Sequence, residues 1–116
     1  VYSNRTGGFV MGLLGALSGM NIDAGIRQYQ ETSGAVLLDV RTPEEFKNGH
    51  IPKSVNLPLD KIIATVERIY PKDQSIFLYC HSGSRSASAA FALKKMGYVS
   101  VRNIGGIVSY KGRVER

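Results

Sequence analysis

Short apolar runs alternate with helix-patterned stretches along this chain. Residues 35–40 (Ala-Val-Leu-Leu-Asp-Val) and 75–79 (Ser-Ile-Phe-Leu-Tyr) are the clearest runs, and 54–57 and 99–102 are briefer ones. Short apolar, β-branched runs of this kind predict buried strands. Strands that alternate with helices predict βαβ units. The expected fold is α/β, with a mainly parallel central sheet flanked by helices on both faces. In such sheets ligands bind beyond the carboxyl ends of strands, where loops lead into helices.

The helical stretches carry their own start and stop signals. Residues 22–31 place Ile22, Ile26 and Tyr29 on one face. Thr42-Pro43-Glu44-Glu45 reads as a capping box with proline at the first helical position, opening a short helix that carries Phe46 and stops at Gly49. Asp60 is expected to cap a helix whose inner face is Ile62, Val66 and Ile69, ended by Pro71. Residues 86–96 predict an Ala-rich helix with Lys94 and Lys95 in its last turn and Gly97 beyond it. Gly105-Gly106 predicts a turn before a short C-terminal element. Residues 1–20 read as a Gly-rich extension ahead of a single domain over 21–116, since a chain of 116 residues suits one domain.

Cysteine and charge narrow the chemistry. Cys80 is the single cysteine, so an intramolecular disulfide is impossible. One cysteine with His50 and His81 cannot close a zinc cage, and neither metal nor cofactor is expected. The cysteine count suits a reducing, cytoplasmic setting. The net charge is +6, and all of it falls from Cys80 onward, where seven Lys or Arg face one acid. A positive field there is expected to lower the thiol pKa and attract small anions; a solvated basic tail is the bland alternative. Nucleic acid is not an expected partner, because no aromatic stacking platform is interleaved with the bases. The longest apolar stretch, residues 9–17, falls short of the roughly 20 needed for a membrane helix. It reads as a short packing helix or as the end of a signal or anchor in a longer precursor, which leaves membrane association open.

The chemistry converges after residue 79. Cys80-His81-Ser82-Gly83-Ser84-Arg85 follows a strand pattern and precedes a helix pattern. A short polar loop at a helix start can aim several amide N–H groups at one centre, forming an anion nest that also stabilises a thiolate. Arg85 adds a planar fork of donors. A reactive Cys80 is therefore expected, against the plainer reading of a small buried hydrophobe at a strand end.

The chain resembles the rhodanese domain, the single-domain sulfurtransferase family, over about residues 20–113. The resemblance is carried by Leu37-Leu-Asp-Val-Arg41 with Pro43-Glu-Glu-Phe46, and by Gly49-His-Ile-Pro52 with Val55-Asn-Leu-Pro58. It continues in the strand and loop from Ile76 to Ser86, and in Asn103-Ile-Gly-Gly-Ile107 with Tyr110 and Gly112. Lys53 stands where the family usually has Gly, and Tyr110 where it usually has Trp. The resemblance implies a rhodanese-like fold and a thiosulfate sulfurtransferase activity. Cys80 would take sulfane sulfur from thiosulfate or a similar small anionic donor, as a persulfide. It would pass the sulfur to cyanide, to an external thiol or to a protein acceptor. The loop residues His81, Ser82, Gly83, Ser84, Arg85 and Ser86 would cradle the outer sulfur, with Arg85 steering the donor. Asp39 and Arg41 would support the loop, or would simply pair with Glu44 or Glu45.

Two other functions stay in view. One is a cysteine-dependent phosphatase or arsenate reductase; phosphatases that use cysteine resemble one another in a C-x₅-R loop. Here Cys80 to Arg85 is C-x₄-R, a tighter cradle, with no acid in the loop to protonate a leaving group. Rhodanese-like domains can also act as non-catalytic docking modules, against which an intact cysteine in a complete loop counts. His50 reads as a turn histidine bonded to backbone, and His81 as a rim residue. Phe91 and Met96 read as packing residues.

Overall fold

The computed structural model describes residues 21–116, so the Gly-rich extension and its apolar run at 9–17 lie outside the described residues. The elements follow in the order α1 (Ile22–Glu31), β1 (Val36–Asp39), α2 (Pro43–Lys47), β2 (Val55–Asn56), α3 (Leu59–Ile69), β3 (Ser75–Cys80), α4 (Ser84–Lys95) and β4 (Ser100–Gly106). A 3₁₀ turn over Ile107–Ser109 follows. Among the described residues the strands form one sheet in the order β2-β1-β3-β4, with every neighbouring pair parallel. The α/β architecture expected from the strand and helix alternation is the one observed.

Strand alternation sorts the core into two layers. Leu38, Val40, Ile76, Leu78 and Cys80 face α3 and α4, packing with Ile62, Val66, Ala89 and Leu93. Leu37, Phe77 and Tyr79 face the other way, onto Ile22 and Ile26 of α1. Burial on both faces explains why β1 and β3 read as nearly unbroken apolar runs. Cys80 and Tyr79 thus lie on opposite faces of one strand.

Local chemistry sets the helix ends. Thr42 Oγ1 accepts from the Glu45 amide at 3.2 Å while the Glu45 carboxylate accepts from the Thr42 amide at 3.0 Å, which is the expected capping box. Asp60 does not cap α3. Pro58 is the N-cap and offers no side-chain bond, leaving Asp60 in the first turn, where its charge still meets the helix dipole. Ile69 is not on the inner face either, being 51% exposed. Tyr70, at the helix end, packs against the core in its place. Helix α4 opens at Ser84, two residues earlier than the pattern predicts, so Arg85 and Ser86 are helical.

Gly105-Gly106 is not a turn but the end of β4. The pairing of β3 with β4 slips between Leu78 and Cys80, so that Leu78 faces Asn103 while Cys80 faces Gly106. Strand β4 thus carries one extra residue, and Gly105 takes it at φ +109°, a conformation that L side chains rarely adopt. Lys53, standing where the resembled family has Gly, is held at φ +73°.

Candidate active site at the carboxyl edge of the sheet

Cys80 is the last residue of β3 and is fully buried. Three residues separate it from α4. Gly83 adopts φ +105°, and the reversal brings its N–H to 3.0 Å from Cys80 Sγ. The first turn of α4 then delivers Ser86, whose hydroxyl donates to Sγ at 3.5 Å. Burial pushes the Cys80 thiol up, and that is the largest single influence on it. The Ser86 hydroxyl and the amides of Ser86, Gly83 and Ser82 together outweigh burial, and the pKa lies below that of an ordinary thiol. A sulfur that is out of water yet ionises more readily than an ordinary thiol suits nucleophilic attack.

The cradle is held from β4. Asn103 Nδ2 donates to the Gly83 carbonyl at 3.2 Å, and its Oδ1 accepts from Ser86 Oγ at 2.7 Å and from the Gly105 amide at 3.0 Å. The Ser86 hydroxyl has one proton and three acceptors within reach: Cys80 Sγ, Asn103 Oδ1 and the Gly83 carbonyl at 3.1 Å. Beside it the loop crosses Gly106 so closely that a Cβ there would come within 2.5 Å of Ser82 Cα and collide with the His81 carbonyl. That carbonyl accepts from the Val108 amide at 3.1 Å. Asn103 and Gly106 carry sites of loop support that motif reading left unassigned. The slipped β3–β4 register is what brings them under the loop.

The loop residues fall into two groups. Ser86 and the amides of Gly83 and Ser82 serve the sulfur, whereas His81, Ser82 and Ser84 are otherwise exposed on the rim. Arg85 is one-third exposed and is not free. Its Nη1 and Nη2 donate to Glu45 Oε1 and Oε2 at 2.7 and 3.0 Å. The Arg85 bond is the main reason the Glu45 carboxyl is held at about 2, and the Thr42 amide assists.

Two sequence expectations need correction. Asp39 and Arg41 neither reach the loop nor pair with Glu44 or Glu45. They pair with each other through three side-chain bonds of 2.7 to 3.1 Å, and Arg41 Nη2 donates to the Gly49 carbonyl at 2.8 Å. The reason is strand parity. Asp39 lies opposite Tyr79 in the register, on the α1 face, while Cys80 points to the α3/α4 face. The second correction concerns the basic residues after Cys80, three of which do not act as free charges beside the sulfur. Lys94 and Lys95 close the last turn of α4, about 15 Å along the helix from its start. Glu45 pairs with Arg85, and hydrogen-bond donors do most to lower the thiol pKa, with a smaller Coulombic contribution from Arg85.

His50 Nδ1 donates to the Phe46 carbonyl at 2.8 Å, and the imidazole stacks on the Phe46 ring, a turn role. Among the described residues no three His, Cys, Asp or Glu side chains gather to hold a metal ion, and no helix is long and apolar enough to cross a membrane.

Comparison with known proteins agrees with this geometry. The family model for the rhodanese-like domain matches residues 24–113. The chain is 40% identical over 81 residues to a sulfurtransferase of Allochromatium vinosum, covering 69% of this chain and 75% of that one. It is 34% identical over 71 residues to the thiosulfate sulfurtransferase PspE of Escherichia coli, covering 60% and 68%. A solved rhodanese with anions from E. coli superposes with a TM-score of 0.65 at 28% identity, covering 71% of this chain and 98% of that one.

Proposed function

Since the chain belongs to the rhodanese-like domain family, we propose that it is a sulfurtransferase that carries sulfane sulfur on Cys80, with thiosulfate or a related anion as donor and an external thiol as acceptor. The observation that carries this reading is the sulfur cradle itself: Cys80 Sγ lies 3.0 Å from the Gly83 amide and 3.5 Å from Ser86 Oγ at the head of α4. The names of the relatives from A. vinosum and E. coli support sulfur transfer in general, and the second names thiosulfate.

The chemistry follows from the geometry. The Cys80 thiolate attacks the outer sulfur of thiosulfate. A new S–S bond forms to Cys80, the S–S bond of the donor breaks, and sulfite leaves with the electron pair. The Cys80 persulfide inherits the negative charge on its outer sulfur. Amide N–H groups at the head of a helix are suited to hold that charge. An acceptor thiolate then attacks the outer sulfur, and Cys80 departs as thiolate, stabilised by the same donors. Cys80 is the only cysteine, so the second step needs an acceptor from outside the chain. Two half-reactions predict ping-pong kinetics.

The test is intact-mass spectrometry of the reduced protein after brief exposure to thiosulfate. A gain of one sulfur atom, reversed by cyanide or a thiol and absent in Cys80→Ser, is the expected result. A protein that gains no sulfur from thiosulfate or from a small persulfide, yet is folded, would be a docking module instead.

A further inference from the structure

We infer that Glu45 is a specificity-determining residue: by holding Arg85 as a neutral pair beside the Cys80 loop, it sets the site against doubly charged sulfur donors relative to singly charged ones. This inference rests on the sulfur-transfer reading above and concerns the choice of donor.

Arg85 is the one permanent positive charge between Cys80 and Ser86, and it immediately precedes the residue whose hydroxyl touches the sulfur. A free guanidinium there would draw a dianion more strongly than a monoanion, because the Coulomb energy scales with ligand charge. The guanidinium is not free. Both of its outer nitrogens are taken by the two oxygens of Glu45. Glu45 is also a fixed group rather than a swinging side chain. Its Oε1 accepts from the Thr42 amide at 3.0 Å and from Thr42 Oγ1 at 3.1 Å, which locks it into the first turn of α2. A donor approaching the loop therefore meets a pair of zero net charge with carboxylate oxygens on its α2 side. Thiosulfate, with two negative charges, loses more from this than a thiosulfonate with one.

The comparison needs two donors that react alike and differ in charge. Thiosulfate and methanethiosulfonate both offer an outer sulfur to the Cys80 thiolate. In each case an S–S bond forms to Cys80 and the donor's S–S bond breaks. Sulfite or methanesulfinate leaves with the electron pair, and the charge balances. The quantity read is the ratio of kcat/KM for thiosulfate to kcat/KM for methanethiosulfonate.

Glu45→Gln is the informative variant, because glutamine at this helix position still completes a capping box. The ratio should rise about tenfold, which is the scale of one unit charge in a partly screened site. Glu44→Gln makes the same change in net charge on an exposed neighbour in the same turn and should leave the ratio where it was. The double variant Glu45→Gln with Arg85→Gln removes both charges and should return the ratio to within about threefold of wild type. An unchanged ratio in Glu45→Gln overturns the inference. So does an equal rise in Glu44→Gln, or a double variant whose ratio falls far below wild type. Wild-type protein that takes sulfur from neither donor overturns the sulfur-transfer reading itself, whereas normal turnover with an unmoved ratio overturns only the role of Glu45.

Discussion

Arg85 and Glu45, 40 residues apart in sequence, meet through two parallel hydrogen bonds of 2.7 and 3.0 Å. The pair ties α2, which follows β1, to the loop that follows β3. Both ends are set locally. The capping box aims Glu45, and the left-handed Gly83 turns the chain so that Arg85 enters the first turn of α4 facing α2. One ion pair thus joins the acidic helix to the cysteine loop, and it decides how much positive charge the site shows to a donor.

Acid should weaken that tie in a defined window. The Glu45 carboxyl sits at about 2 in the fold against an ordinary 4.5. A carboxyl depressed by folding stabilises the native state above its unfolded pKa, and that contribution is lost as pH falls through 4.5 toward 2. Each partner is about one-third exposed, so solvent screening leaves the pair about 1 kcal/mol. Urea unfolding of wild type and Glu45→Gln should show a gap of that size near pH 6 that closes as pH approaches about 2. A gap that does not change with pH would mean that the pair contributes no titratable stability.

Ser86→Ala should raise the pH midpoint of Cys80 alkylation by iodoacetamide. The hydroxyl is the strongest of the donors that counter burial at the sulfur. Removing it leaves the burial penalty and three backbone amides, and the thiolate becomes less favourable. Sulfur transfer should slow most below the new midpoint and recover as pH rises above it. A midpoint equal to wild type would assign the work to the amides alone.

Much of this site is legible in the sequence because it is local. The capping box at Thr42, the strand ending in Cys80 and the Gly-containing loop before a helix are each written in consecutive residues. What the sequence hides depends on register and on partners distant in the chain. Asp39 and Cys80 end neighbouring strands, but strand parity sends their side chains to opposite faces of the sheet. A shift of one residue separates support of the loop from a buried pair with Arg41. Counting bases after Cys80 likewise misplaces the field. The spacing along α4 carries Lys94 and Lys95 away, and an acid from α2 neutralises Arg85. The bulge that makes Gly105-Gly106 part of β4 is equally invisible, because two glycines signal a turn more often than a strand.

Gly106→Ala should damage the loop out of proportion to one methyl group. The added Cβ would press on backbone atoms of His81 and Ser82, which cannot swing aside as a flexible side chain can. The expected cost is about 1–3 kcal/mol in urea unfolding, with loss of sulfur uptake from thiosulfate in the mass assay. Gly34→Ala provides the contrast. Gly34 sits at φ +75° with no atom within 4 Å of a Cβ, so it should cost about 1 kcal/mol of backbone strain and leave sulfur uptake intact. Equal effects of the two substitutions on sulfur uptake would rule out close approach at Gly106 as the reason for its glycine.

Asp39→Ala separates fold support from chemistry. Asp39 is fully buried and Arg41 is 5% exposed, so the variant strands a guanidinium inside the protein. Arg41 keeps its bond to the Gly49 carbonyl but loses every carboxylate contact. Leaving a buried charge unpaired costs about 3–5 kcal/mol, a large share of the stability of a domain this size. The double variant Asp39→Ala with Arg41→Met removes the charge as well and should recover most of that loss. Because the pair lies across the sheet from the sulfur, the pH midpoint of Cys80 alkylation should be the same in wild type and in the double variant. A midpoint that moves in the double variant would show that the pair reaches Cys80 through the sheet.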